Sequence, residues 1–433
     1  MSESGRRRAD RGACLALLTV TAVLTSMPSL CRAQGAAQGQ SFVLIARGRY
    51  LTALADCAAC HDDPVSHRPF AGGRPIQTPF GRLVAPNITP DRTSGIGGWS
   101  DAQFDAAVRF GRLPNGARLY PAMPYLYYSR LSRSDTQAIH AYLATVTPVY
   151  HAIVSDQLPF PFKIRAIMHV WDALFFHPQP WQQRADRSAA WNRGAWIVEG
   201  PGHCEACHTP KGWLAEDEHG RAFQGYATQG WFAPDISPDV QRGLGRWSLE
   251  DIEQFLQRGH NRLAAASGPM GEEVADSSSQ MRPDDLLAIA TYLKASAAAG
   301  NAAAAQRQGA PLADTDKRMR AGAAIYHDLC SACHRLDGHG TPYLFPDLVA
   351  DNAVDARDPT SLLRVVLIGT RSVATDAEPT APGMPGFRWQ LSDAEVASVL
   401  TYVRNSWGHA ASPVSADQAR RARSQLRLAA ASE

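Results

Sequence analysis

Six of the eight cysteines in this chain stand in one five-residue frame: Cys57, Cys60 and His61, then Cys204, Cys207 and His208, then Cys330, Cys333 and His334. Two thiols one helical turn apart, followed at once by an imidazole, can hold a porphyrin: the sulfurs form thioethers with its vinyl groups and the histidine reaches the iron. Other chemistries fit less well. A structural zinc gathers its four ligands from two separated pairs, a redox CxxC sits beside a βαβ pattern that is not visible here, and a plain disulfide leaves the recurring histidine unexplained. The frames predict three covalently bound haem c groups. Each haem also supplies apolar bulk to a unit of about a hundred residues, which would otherwise have a thin core.

An electron carrier closes its iron with a sixth ligand, commonly a methionine, which raises the potential. Met123 in "LYPAMPYL" and Met270 in "ASGPMGEEV" both lie 62 residues beyond their histidines, and Met384 in "APGMPGF" lies 50 beyond His334. All three are expected in loops flanked by proline or glycine. Met168 and Met281 read as packing residues, because one lies in an apolar connector and the other matches Leu131 and Leu391 at the head of a helix. His140, His169, His177 and His260 do not recur from unit to unit and read as surface or structural.

The elements that position these groups are repeated. "NITPDRTSGIGGWSDAQFDAAVRFG" from Asn87 matches "DISPDVQRGLGRWSLEDIEQFLQRG" from Asp235 without a gap. Each frame follows a short helical pattern, and each unit closes with another, "LSRSDTQAIHAYL", "MRPDDLLAIATYL" or "LSDAEVASVLTYV". Ser392 with Glu395, and Ser132 with Asp135, predict capping boxes. The fold class expected is all-α, with three class I-like cytochrome c domains at 41–147, 191–297 and 317–409. Between them lie a connector at 148–190, dense in aromatic residues and proline, and an alanine-rich linker at 298–316; residues 410–433 form a tail. The connector's "IRAIMHVWDALFF" predicts a helix with Ile164, Ile167, Met168, Trp171, Leu174 and Phe175 on one apolar face, either a strap over its own domains or a surface for membrane or quinone.

Residues 1–33 have the order of a secretory signal peptide: arginines, the run "ACLALLTVTAVLTSM", and a cut after Ala33 that removes Cys14 and Cys31. A periplasmic location follows, and a leader this short falls below the ~20 apolar residues of a membrane span. The formal charge of +2 over 433 residues argues against a nucleic-acid binder, and the glycine clusters open no nucleotide-binding βαβ unit.

The ordered strings "RGRYLTALADCAACH", "FAGGRPIQTPFG", "QLPFPFKIR", "GHCEACHTPKG", "DLLAIATYLK" and "CSACHRLDGHGTPYLFPDL" resemble a known family, the triple-haem cytochrome c subunits of bacterial membrane-bound alcohol, gluconate and sorbitol 2-dehydrogenases. "HDDPVSHRPFAGG" and "RSVATDAEPTAPGM" are departures from its pattern. The resemblance implies His61, His208 and His334 as proximal ligands, and Met123, Met270 and Met384 as distal ones. It implies electrons accepted from a catalytic subunit carrying pyrroloquinoline quinone or flavin, and delivered to ubiquinone at the outer face of the cytoplasmic membrane. The chain would have no substrate-oxidising site of its own. Cytochromes of aldehyde or nicotinate-type molybdenum dehydrogenases look similar, and a freely diffusing multihaem carrier or a peroxidase-like haem enzyme are the rival classes.

Overall fold

A computed structural model describes residues 27–296 and 310–432. Residues 1–26 of the expected leader, 297 at the end of the expected second domain, 298–309 of the expected linker and 433 of the expected tail lie outside the described residues. The chain is mostly helical, with a few short strands.

The first repeat runs from α1 (Met27–Leu54) through the cysteine turn α2 (Cys57–His61), α3 (Asp101–Phe110) and α4 (Tyr125–Tyr128) to α5 (Arg133–Leu143). After the connector helix α6 (Ile167–Phe175), the second has α7 (Ala189–Glu199), its cysteine turn α8 (Cys204–His208), α9 (Leu249–Arg258), α10 (Pro269–Asp276) and α11 (Pro283–Ala295). The third has α12 (Lys317–Leu329), α13 (Ser331–His334), α14 (Thr360–Ile368), α15 (Asp393–Val403) and a terminal α16 (Ala416–Ser432). Both expected capping boxes form, and two more close the starts of α3 (Ser100 with Gln103) and α9 (Ser248 with Asp251).

In each repeat the opening helix crosses the closing one at a glycine: α1 on α5 at Gly48, α7 on α11 at Gly194, α12 on α15 at Gly322. A Cβ on these glycines would lie 1.8, 1.9 and 2.2 Å from the carbonyl oxygens of Ala138, Ala288 and Ser398. No side chain fits there, so the helices approach at backbone contact.

Small antiparallel hairpins break the helical pattern. Strands β1 (Pro75–Thr78) and β2 (Gly81–Val84) pair after the first frame, joined by β3 (Asp156–Gln157) from the connector. After the second, β4 (Tyr226–Thr228) meets β5 (Trp231–Ala233) across Gln229 and Gly230, both at positive φ, the geometry of a two-residue hairpin turn. In the third repeat, β6 (Thr370–Arg371) pairs with β7 (Gly383–Met384).

The first two repeats share one apolar core, from Leu51 and Leu54 through Trp196 and Ile197 to Ile289 and Leu293. Asp285, in the second repeat, fastens them: it accepts from Tyr50 Oη of the first repeat, and from Arg193 Nε and Nη2 of the second at 2.6 and 2.9 Å. The third repeat has its own core around Leu363, Val396 and Leu400. It docks on the β4–β5 hairpin, where Ser361 Oγ donates to Phe232 O at 3.0 Å, and Arg357 donates to Gly225 O at 2.8 Å.

The connector corrects one expectation. It is a strap on its inner side: Trp171 is buried and donates to Leu214 O at 2.8 Å, and Asp172 accepts from Tyr125 Oη at 2.7 Å and pairs with Arg118. Met168 turns in against Leu83, Tyr120 and Leu158. The outward face of α6 is instead Ile167, Val170 and Leu174, so the single apolar face expected from spacing is divided between core and solvent. The polar anchors of Asp172 decide which half turns inward.

A pH dependence follows from His409 in the third repeat. Its Nδ1 lies 2.6 Å from an Asp355 carboxylate oxygen and its Nε2 2.9 Å from Leu348 O, so both nitrogens face acceptors and the ring is best satisfied as imidazolium. Burial opposes that charge, but the Asp355 bond outweighs it and holds the pKa above the ordinary value. The stabilisation is fully present below the unfolded value of about 6.5 and is lost as pH rises through the raised folded value. Urea unfolding of the third repeat should shift to lower midpoints over that rise, and His409→Gln should flatten the profile.

Candidate haem-binding sites

The cysteine frames fold as single turns. Asp56 and His203 enter the first two in the left-handed conformation, at φ 50° and 38°, and α2 and α8 then carry both cysteines and the histidine. In the third, Cys330 ends α12 and α13 begins at Ser331. Each histidine carbonyl accepts from a glycine N–H: Gly72 to His61 at 2.6 Å, Gly225 to His208 at 2.7 Å, Gly340 to His334 at 3.1 Å. All three glycines have positive φ, which returns the chain beneath the imidazole.

Each imidazole is oriented the same way. His61 Nδ1 is 2.8 Å from Pro86 O, His208 Nδ1 is 2.7 Å from Pro234 O, and His334 Nδ1 is 3.3 Å from Pro346 O. A carbonyl only accepts, so Nδ1 carries the proton and Nε2 keeps its lone pair for a metal. Burial holds all three rings below the ordinary pKa, against the pull of those carbonyls, and so keeps them neutral. Spacing alone did not reveal these prolines; the aligned "APNITPD" and "APDISPD" contain the signal for the first two.

The six thiols are free, with no disulfide among the described residues. Burial pushes Cys57 and Cys60 up to about 12 and Cys330 to about 11. Among the described residues several buried polar atoms find no partner in the chain, among them Trp247 Nε1, a donor, and the two ring nitrogens of His260, one of which donates in the neutral ring. They suit the two carboxylates that a haem carries, so the residues present fit the group. The first two frames are neighbours, since Cys57 and Cys204 pack against one apolar cluster.

The methionines stand in three settings. Met123 packs against the apolar cluster that also receives Cys57 and Cys204. Met270 is not in a loop: Pro269 and the left-handed Gly268 start α10 just before it, and α10 packs on α2, with Glu272 bridging to Arg74 at 2.6 Å. Met384 lies in β7, opposite Thr370. Met281 is buried in the shared core, and the half-buried Met168 packs against its own small cluster, where packing residues belong. His140 is bound to Asp101 at 2.7 Å.

Paired free thiols beside an oriented neutral imidazole, on a helical scaffold, define a c-type cytochrome. The cytochrome c family profile matches residues 319–407. The chain is 38% identical over 382 residues to the gluconate 2-dehydrogenase cytochrome c subunit of Pantoea cypripedii, covering 85% of this chain and 86% of that one. It is 37% identical to the cytochrome c subunit of alcohol dehydrogenase (quinone) of Gluconacetobacter polyoxogenes, covering 85% and 81%. The fructose dehydrogenase cytochrome subunit of Gluconobacter japonicus is 35% identical, covering 88% and 82%. The chain belongs to this family of dehydrogenase cytochrome c subunits, and its role is electron transfer within such a complex.

Proposed function

We propose that the chain is a triple-haem, exported subunit that takes electrons from a catalytic subunit dependent on pyrroloquinoline quinone or flavin and passes them to membrane ubiquinone. The observation that carries the count of three is the thrice-repeated histidine–proline bond beside a free cysteine pair. Haem c would be held at Cys57/Cys60, Cys204/Cys207 and Cys330/Cys333, with His61, His208, His334, Met123, Met270 and Met384 as the residues that would ligate the irons. Bound haem supplies one-electron iron chemistry. The chain's part is to fix each imidazole by its proline carbonyl, to close each iron with a thioether, and to keep water out with the shared core.

The three sites would form a series. The first two frames adjoin one apolar cluster, and Gly259, in the segment preceding Met270, accepts from Ser372 Oγ, just past β6, at 3.2 Å. The mature chain would begin after Ala33, in the periplasm, and would meet the membrane surface peripherally. Mass spectrometry of the mature protein tests the count: the chain plus three haems, resistant to acid-acetone extraction, is expected. A mass fitting one or two haems, or extractable haem, overturns it.

A further inference from the structure

A cleft of about 690 Å³ opens between the end of the connector and the second cysteine turn, a volume suited to a ring-sized ligand. Phe175 and Phe176 from the connector and Phe223 from the second repeat give it aromatic walls. Glu205, which stands between Cys204 and Cys207, and His219 supply protic groups. The ligand atoms of Glu205, Asp217 and His219 all lie within 4.8 Å of one another. A cation is disfavoured there, because Asp217 is already held by the Lys211 ammonium and by Tyr127 Oη at 2.6 Å.

We propose that this cleft binds the head group of a quinone and is where the chain reduces it. The inference rests on the reading that the subunit passes electrons to quinone, and locates that step. Reduction turns the two quinone C=O groups into C–O–H, consuming two electrons and two protons. Two ferrous haems supply one electron each and become ferric; Glu205 and His219 supply the protons, and the exposed His219 is refilled from water. Burial beside Asp217 and Glu199 raises the Glu205 carboxyl to about 7, so it still holds a proton near neutrality. Its place within the cysteine turn puts the acceptor next to the haem attached at Cys207. The way in is apolar: Ile167, Val170 and Leu174 of α6 are 41, 62 and 59% exposed on the approach to Phe175, a face that a lipid-soluble tail would cover.

Gly220 lines the cleft and a Cβ there meets nothing within 4 Å, so Gly220→Trp is the variant that would fill the space, with intact haem spectra as the check that the fold persists. The purified complex with its catalytic subunit is assayed with decylubiquinone and labelled with a photoreactive azidoquinone. In the unaltered complex, label is expected on the 205–223 segment. Gly220→Trp should abolish that label and quinone reduction, while haem reduction by the dehydrogenase's substrate and electron transfer to ferricyanide persist. Glu205→Gln should keep the label and slow quinone reduction on the order of a hundredfold. Label and quinone rate both unchanged in Gly220→Trp overturn the site and leave the quinone reading standing. An unaltered complex that reduces its haems but neither labels with nor reduces quinone overturns the reading and the site together.

Discussion

Gly194→Val is expected to unfold the first and second repeats together and to spare the third. A Cβ at residue 194 would lie 1.9 Å from Ala288 O and 2.5 Å from its carbonyl carbon, atoms of the α11 backbone that no rotamer change can move aside. Relief requires prising α7 from α11, which opens the core that Ile197 and Leu293 share with Leu51 and Leu54 of the first repeat. Overpacking and core loss of this kind cost about 3–5 kcal/mol, a large fraction of a domain's stability. Urea unfolding followed by fluorescence and by the haem bands should show one early transition for two repeats and a later one near the unmutated position. Gly98→Ala is the control, since nothing lies within 4 Å of an added Cβ, and it should change stability by less than ~0.5 kcal/mol. If Gly194→Val unfolds no more readily than this control, the crossing is not tight.

Why the first two repeats share one core was not legible in the chain, although the repeats themselves were. Periodicity and capping are local: "LSDAEVASVLTYV" specifies α15, and Ser392 bonds Glu395 as its spacing implies. Cysteine spacing is equally local, because one turn sets where both thiols lie. The contacts that fasten the repeats are not. Tyr50 meets Asp285 across 235 positions, and no pattern within either segment announces the other. The prolines that orient the imidazoles lie 25, 26 and 12 residues beyond them, so only the returning loop brings them near. The connector's single apolar face fails as a prediction for a related reason, although the strap reading holds. Its helical stripe is wide enough to supply two faces, and the choice between them was made 47 residues away by Tyr125, which holds Asp172. Met270 is a smaller case: a proline flank reads as a loop, yet proline at the first position of a helix starts one.

The methionines carry the largest expected electronic effect. Replacing Met123, Met270 or Met384 by Ala should remove a thioether from one iron, open it to water or carbon monoxide, and lower its potential on the order of 100 mV, within the ~0.8 V range that axial ligation spans. The near-infrared band from sulfur-to-iron charge transfer should lose about a third of its intensity in each variant, since each of three haems would contribute one thioether. The packing methionines give the contrast. Met281 is 7% exposed in the shared core, so Met281→Ala leaves a cavity and costs about 2–5 kcal/mol, while the ligation spectrum stays whole. Met168→Ala should also leave it whole, because that side chain packs against Leu83, Tyr120 and Leu158. The two effects separate on two instruments, one spectroscopic and one thermodynamic. The Met270 assignment is the most exposed to refutation, because α10 packs on the first cysteine turn while its methionine is assigned to the second haem. Site-resolved potentials decide it: a fall at the first haem in Met270→Ala, or a second haem opened by Met281→Ala, would transfer the ligand.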